Sequence, residues 1–110
     1  MTLQKNRETD YTDNDTILVE YFGDSPEIRI LDFFLDHPLN DYMQSELAER
    51  TGMNPRTVKK VLVKYEKEKI LKINRRIGKA VLYKLNQANP VIEQIKELEK
   101  AVSLGSIESE

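Results

Sequence analysis

The chain has 110 residues, no cysteine, one histidine and a formal net charge of −2. That length allows one domain with a modest core. The absence of cysteine excludes a disulfide framework, thiolate metal sites and thiol nucleophiles, and His37 alone cannot form a histidine cluster. No run approaches the roughly 20 apolar residues of a membrane span, and the opening MTLQKNRETDYTDNDT has no apolar stretch that could act as a secretory signal. A cytoplasmic protein without metal or cofactor is expected.

Residues 1–15 are polar and read as a flexible tail. Residues 16–22, TILVEYF, form a short apolar run ending at Gly23, compatible with a short helix or an extended arm. Ser25 followed by Pro26 is a helix start, because a serine side chain caps free backbone N–H groups and proline suits the first helical position. Ile28, Leu31, Phe34 and Leu35 then recur at helical spacing, and Pro38 stops the helix, which is expected over 26–36. Residues 42–43 suit a short strand or a turn. A second helix follows from Gln44 to Thr51-Gly52, glycine being the usual left-handed helix end. Asn54-Pro55 opens a third, with Val58, Val61, Leu62 and Tyr65 on one face, running to about Lys67 or Lys69.

Beyond it the periodicity changes. Ile70–Ile73 and Val81–Leu85 are β-branched-rich runs flanking a loop at 74–80, which predicts a hairpin with a basic tip. Asn89-Pro90 repeats the helix-start signal, and Val91, Ile92, Ile95, Leu98 and Val102 make an apolar stripe to about residue 103, followed by a loose tail over 105–110. The steps of 4, 3 and 4 between 91, 95, 98 and 102 match a short heptad pattern. This stripe is expected to form a two-fold dimer contact, helped by Ile17, Leu18, Tyr21 and Phe22; packing back onto its own domain is the alternative.

The near-neutral total conceals a segregation of charge. Residues 54–85 hold eleven Lys/Arg against only Glu66 and Glu68, a local charge of +9, while the rest of the chain carries −11. A solvated helix face normally mixes signs. A one-sign block that spans a helix and the following hairpin points to a surface that meets phosphates.

The segment ELAERTGMNPRTVKKVLVKYEKEKI is a helix, a tight turn and a second helix, with small Ala48 where the two approach. Followed by a basic hairpin, it resembles the winged helix-turn-helix DNA-binding domains of small archaeal and bacterial transcription regulators, over residues 25–86. The resemblance implies a mainly α fold with a small β-hairpin: a winged domain over 16–88 and a C-terminal dimerisation helix over 89–104. It also implies sequence-specific binding of double-stranded DNA by a homodimer, with the second helix in the major groove. The recognition positions then fall on Asn54, Arg56, Thr57, Lys59, Lys60 and Lys64, and the wing positions on Arg75, Arg76 and Lys79. Gln44 and Ser45, at the start of the preceding helix, would touch phosphate. Met43 departs from the pattern by occupying the place of a usual Ser or Thr cap.

Two other readings belong to different classes: a winged-helix protein-interaction module, and a DNA-organising protein with little sequence preference. There is no Gly-rich phosphate loop, metal-spaced histidine or nucleophile elbow, and no carboxylate is embedded in an apolar run that would raise its pKa. No catalytic role is expected.

Overall fold

The computed structural model describes residues 17–108, with side chains placed through residue 102. The tail expected over residues 1–15 lies outside the described residues. Helix α1 (Ile17–Phe22) is the short helix of the two alternatives open to that run, and α2 (Pro26–Asp36) begins where Ser25-Pro26 predicts. The Ser25 hydroxyl accepts from the Ile28 N–H at 3.2 Å. Strand β1 (Asp41–Met43), helix α3 (Gln44–Thr51) and helix α4 (Pro55–Lys67) follow. Strands β2 (Leu71–Ile77) and β3 (Ala80–Leu85) and helix α5 (Pro90–Glu108) complete the described chain.

Each helix contributes one face to a shared core. Leu18 of α1, Ile30 and Phe34 of α2, Leu47 of α3, Val58 and Leu62 of α4, Leu71 and Leu85 of the sheet, and Ile92 of α5 are all essentially inaccessible to solvent. Burying such side chains is the main stabilising term, about 1.5–3 kcal/mol each. The apolar periodicity of α4 is thus core-facing as predicted: Val58, Val61, Leu62 and Tyr65 point inward. The Tyr65 hydroxyl donates to the Glu27 carbonyl at 2.7 Å, tying α4 to the start of α2. Burial, then the nearby Glu27 and Glu68 carboxylates, raise its pKa well above the ordinary phenol value.

The turn between α3 and α4 is built as its residues require. Gly52 adopts φ +72, and its N–H donates to the Ala48 carbonyl at 2.9 Å. Asn54 Oδ1 accepts from the Arg56 N–H at 2.8 Å, capping α4. At the start of α3, the Met43 thioether makes no cap bond, but the Glu46 carboxylate accepts from the Met43 N–H at 3.2 Å. That reciprocal half of a capping box compensates for the missing Ser or Thr. At the exit of α4, Lys69 takes a left-handed φ of 62, uncommon for a side chain of its size. Asn86 and Asn89 each donate from Nδ2 to its carbonyl at 2.8 Å, which holds the reversal into β2.

The sheet is antiparallel in the order β1-β3-β2. The hairpin differs from expectation. Residues 74–77 are strand, the connection is Gly78-Lys79 between the paired Ile77 and Ala80, and the register shifts between Ile73 and Arg75. Gly78 at φ +60 fits the first central position of a two-residue type II′ turn, whose twist matches that of the flanking strands. Helix α5 also runs further than expected: residues 105–108, predicted as tail, continue it to Glu108, while 109–110 lie outside the described residues. Gly105 costs an established helix only about 1 kcal/mol, and no proline interrupts. Among the described residues no helix is long and apolar enough to cross a membrane.

Candidate nucleic-acid interface

Four turns of α4 present their outer side to solvent. Arg56, Lys60, Val63 and Lys67 fall at i, i+4, i+7 and i+11, opposite the buried Val58, Val61, Leu62 and Tyr65, with Lys59 and Lys64 on the flanks. All five cations are exposed, and Thr57 is half-buried. The first turn holds no acidic residue, so the positive end of the helix dipole is not offset. Among the described residues the ion pairs are Asp24–Arg29 and Asp41–Arg75, and none involves an α4 cation. Unpaired cations of one sign on an exposed helix repel one another, a cost that an anionic ligand would relieve.

The wing stands beside this helix. A groove of about 490 Å³ runs between α3, α4 and the hairpin, with Ser45 on one wall, Lys59 on the second, and Lys79, Val81 and Tyr83 on the third. Ser45, Arg76 and Lys79 are exposed. The Tyr83 hydroxyl has a raised pKa, pushed up by burial and by Glu66 and pulled down by Arg76.

Three of the expected contact residues also make hydrogen bonds within the fold. Gln44 is half-buried and donates from Nε2 to the Pro55 carbonyl at 3.0 Å, so it ties the starts of α3 and α4 together. The Asn54 side-chain oxygen Oδ1 is engaged in capping α4. Arg75 is not on a loop tip. It lies in β2 and donates to Asp41 from Nε at 2.8 Å and Nη2 at 3.3 Å. The Arg75 guanidinium, then the Asn74 amide, hold the Asp41 carboxyl below its usual range. Three residues of the surface escaped the sequence reading. Lys67 and Val63 carried a usable signal, their phase with Arg56 and Lys60. Asp41 carried none, being 34 residues from its partner.

The α5 stripe is divided by the fold. Ile92 is 0% exposed and belongs to the domain core, so its assignment to a dimer contact is corrected. Leu18, expected to help that contact, is likewise core. Ile95 packs partly against the core, whereas Val91 is 51% exposed. Val91, Gln94, Ile95 and Leu98 line an open depression of about 310 Å³, and Val102 is half-buried. Tyr21 and Phe22 of α1 are exposed. The heptad pattern could not separate these roles, because 91 and 92 are adjacent and only the position of α5 decides which points inward. Among the described residues no cluster of His, Asp or Glu is placed to hold a metal ion.

No protein-family model matches the sequence, and no curated protein matches it. The structure is similar to the solution NMR structure of a homodimeric winged helix-turn-helix DNA-binding domain from Mycobacterium bovis, described as a possible ArsR-family transcriptional regulator. The TM-score is 0.54 at 19% sequence identity, covering 94% of this chain and 90% of that one. The chain has the winged helix-turn-helix fold expected from its sequence, with α3 and α4 as the helix pair and the β2–β3 hairpin as the wing.

Proposed function

We propose that this chain is a cytoplasmic transcriptional regulator that binds double-stranded DNA sequence-specifically as a homodimer. The observation that carries the reading is the exposed, unpaired basic surface running from α4 across the groove to the wing. On this reading α4 enters the major groove, where Arg56 and Thr57 at its start read base edges. Lys59, Lys60 and Lys64 meet the backbone, as do Ser45 at the start of α3 and Arg76 and Lys79 on the wing. Asn54 and Gln44 hold the two helix starts in place. The mycobacterial domain of the same fold, described as DNA-binding and homodimeric, supports both halves of the proposal.

The dimer contact is formed by Val91, Leu98 and Val102 with the free flank of Ile95, an apolar surface that a monomer leaves in water. Two-fold symmetry would set the recognition helices about 34 Å apart, one DNA turn, and call for a pseudo-palindromic site.

The test is selection of duplexes from a random pool, followed by titration of the enriched site between about 50 and about 200 mM salt. Enrichment of a pseudo-palindrome, with affinity falling steeply as salt rises, is expected. Binding of all duplexes alike would leave a DNA-organising role, and no salt-dependent binding would leave a protein-interaction module. Sedimentation velocity reads the dimer: a wild-type chain monomeric at tens of micromolar would remove it.

A further inference from the structure

In an unbroken strand Ile73 and Arg75 would share a face. Strand β2 is broken by one extra residue: Ile73 pairs with Tyr83 and Arg75 with Leu82, leaving Asn74 as a bulge. Tyr83 and Leu82 are consecutive and face opposite sides of the sheet. The bulge therefore turns Arg75 to the side away from Ile73, and places Arg76, opposite Val81, on the side of Val81 and Tyr83. Val81 and Tyr83 are among the residues that line the groove against α3 and α4.

Arg75 is held where the bulge puts it. Its partner Leu82 lies two residues from Lys84, whose neighbour on β1 is Asp41. The Arg75 side chain thus crosses the central strand to reach the Asp41 carboxylate, donating at 2.8 and 3.3 Å. The Asn74 amide donates to the same carboxylate at 2.8 Å. One carboxylate grips both the extra residue and the one after it. The Asp41 side chain is only 11% exposed, and Leu82, on the same side of the sheet, is 3% exposed although it lies outside the main core cluster.

We infer that Asp41 is the positioning residue of the wing: it locks the Asn74 bulge so that Arg76, and not Arg75, faces the DNA backbone, with Arg75 as the anchor. The inference rests on the DNA reading above for its functional half. The two arginines are adjacent in sequence and opposite in role, and the difference comes from a residue on another strand.

The experiment compares salt slopes of duplex binding for wild type, Arg75→Ala, Arg76→Ala and the charge swap Asp41→Arg with Arg75→Asp, alongside hydrogen exchange of the wing amides without DNA. Arg76→Ala should lower the slope by about 0.9, one phosphate contact. Arg75→Ala should keep the slope and lose affinity up to about fivefold, the size of an exposed ion pair. It should also speed wing exchange. The swap should restore both the affinity and the slow exchange. A slope that falls as much for Arg75→Ala as for Arg76→Ala would make Arg75 a phosphate ligand and overturn the assignment. So would a swap that fails to slow the exchange. Failure of the wild type to bind any duplex would be seen before any variant is made, and would overturn the DNA reading separately from the lock, which the exchange data read by themselves.

Discussion

Helices α4 and α5 make an instructive pair. Both begin with Asn-Pro, both bury apolar side chains in the same core, and both leave a second face in water. On α4 that second face is cationic, with Arg56, Lys60 and Lys67 in phase and only Val63 among them apolar. On α5 the inward anchor is essentially Ile92, and the accessible apolar surface lies next to it, at Val91, Ile95 and Leu98. A helix whose polar face is of one charge is complementary to a polyanion. A helix whose outer flank is apolar is complementary to another protein surface. α4 buries four side chains in the core and α5 essentially one, and the unlike second faces are what support a different proposed partner for each.

The strongest way to break this comparison is to test whether Ile92 and Val91 really differ. Ile92→Ala should cost about 2–5 kcal/mol of folding stability, by lost burial plus the cavity left behind. Measured by denaturant melts, that loss should not vary with protein concentration. Val91→Ala should stay within about 0.5 kcal/mol in the monomer and show instead as weaker association. A concentration-dependent loss for Ile92→Ala would return that residue to the dimer contact.

On α4 the corresponding contrast is between reading and holding. Arg56→Ala should cost about 1–3 kcal/mol at one base position and relax the preference there. Lys64→Ala should weaken all sites evenly and reduce the salt slope by about 0.9. An unchanged selection profile for Arg56→Ala would take it off the list of base readers.

A third test concerns acid. The Asp41 carboxyl is held low by Arg75 and Asn74, so its folded-state pKa lies below its unfolded one. Such a group contributes stability above its unfolded pKa and loses it as pH falls through the folded value. Wing amides should therefore exchange faster, relative to the α4 core amides, once pH drops below about 4. Equal acid sensitivity in Asp41→Asn would show that another carboxylate is responsible.

The smallest effect is expected on α5. Burial, and then Asp32 and Asp36 of α2, raise the pKa of Glu99. Its contribution to stability is present below its ordinary pKa and lost as pH rises through the raised one, so at neutral pH its charge is a burden. Glu99→Gln should raise the melting temperature at pH 7 by about 1–3 °C, a few tenths of a kcal/mol after solvent screening, and by nothing at acid pH. A lowered melting temperature at pH 7 would mean that the carboxylate makes a stabilising contact.

What the amino-acid sequence alone determined was whatever depends on neighbours along the chain. Ser25-Pro26, Gly52 and the two Asn-Pro pairs set helix limits through caps and fixed φ angles, and the spacing of Val58, Val61, Leu62 and Tyr65 told which side of α4 is inside. The clustering of cations over 54–85 was equally visible, since charge needs only to be counted. Tertiary structure decided the rest. Ile92 and Val91 are both apolar and adjacent, and only the seat of α5 on the core sends one inward and the other to solvent. Arg75 and Arg76 are identical side chains in a row, and strand alternation assigns them opposite faces without saying which. The choice was made by the bulge at Asn74 and by Asp41, 34 residues from Arg75. Register and long-range ion pairs depend on which strands meet, and the local pattern of neither strand contains that.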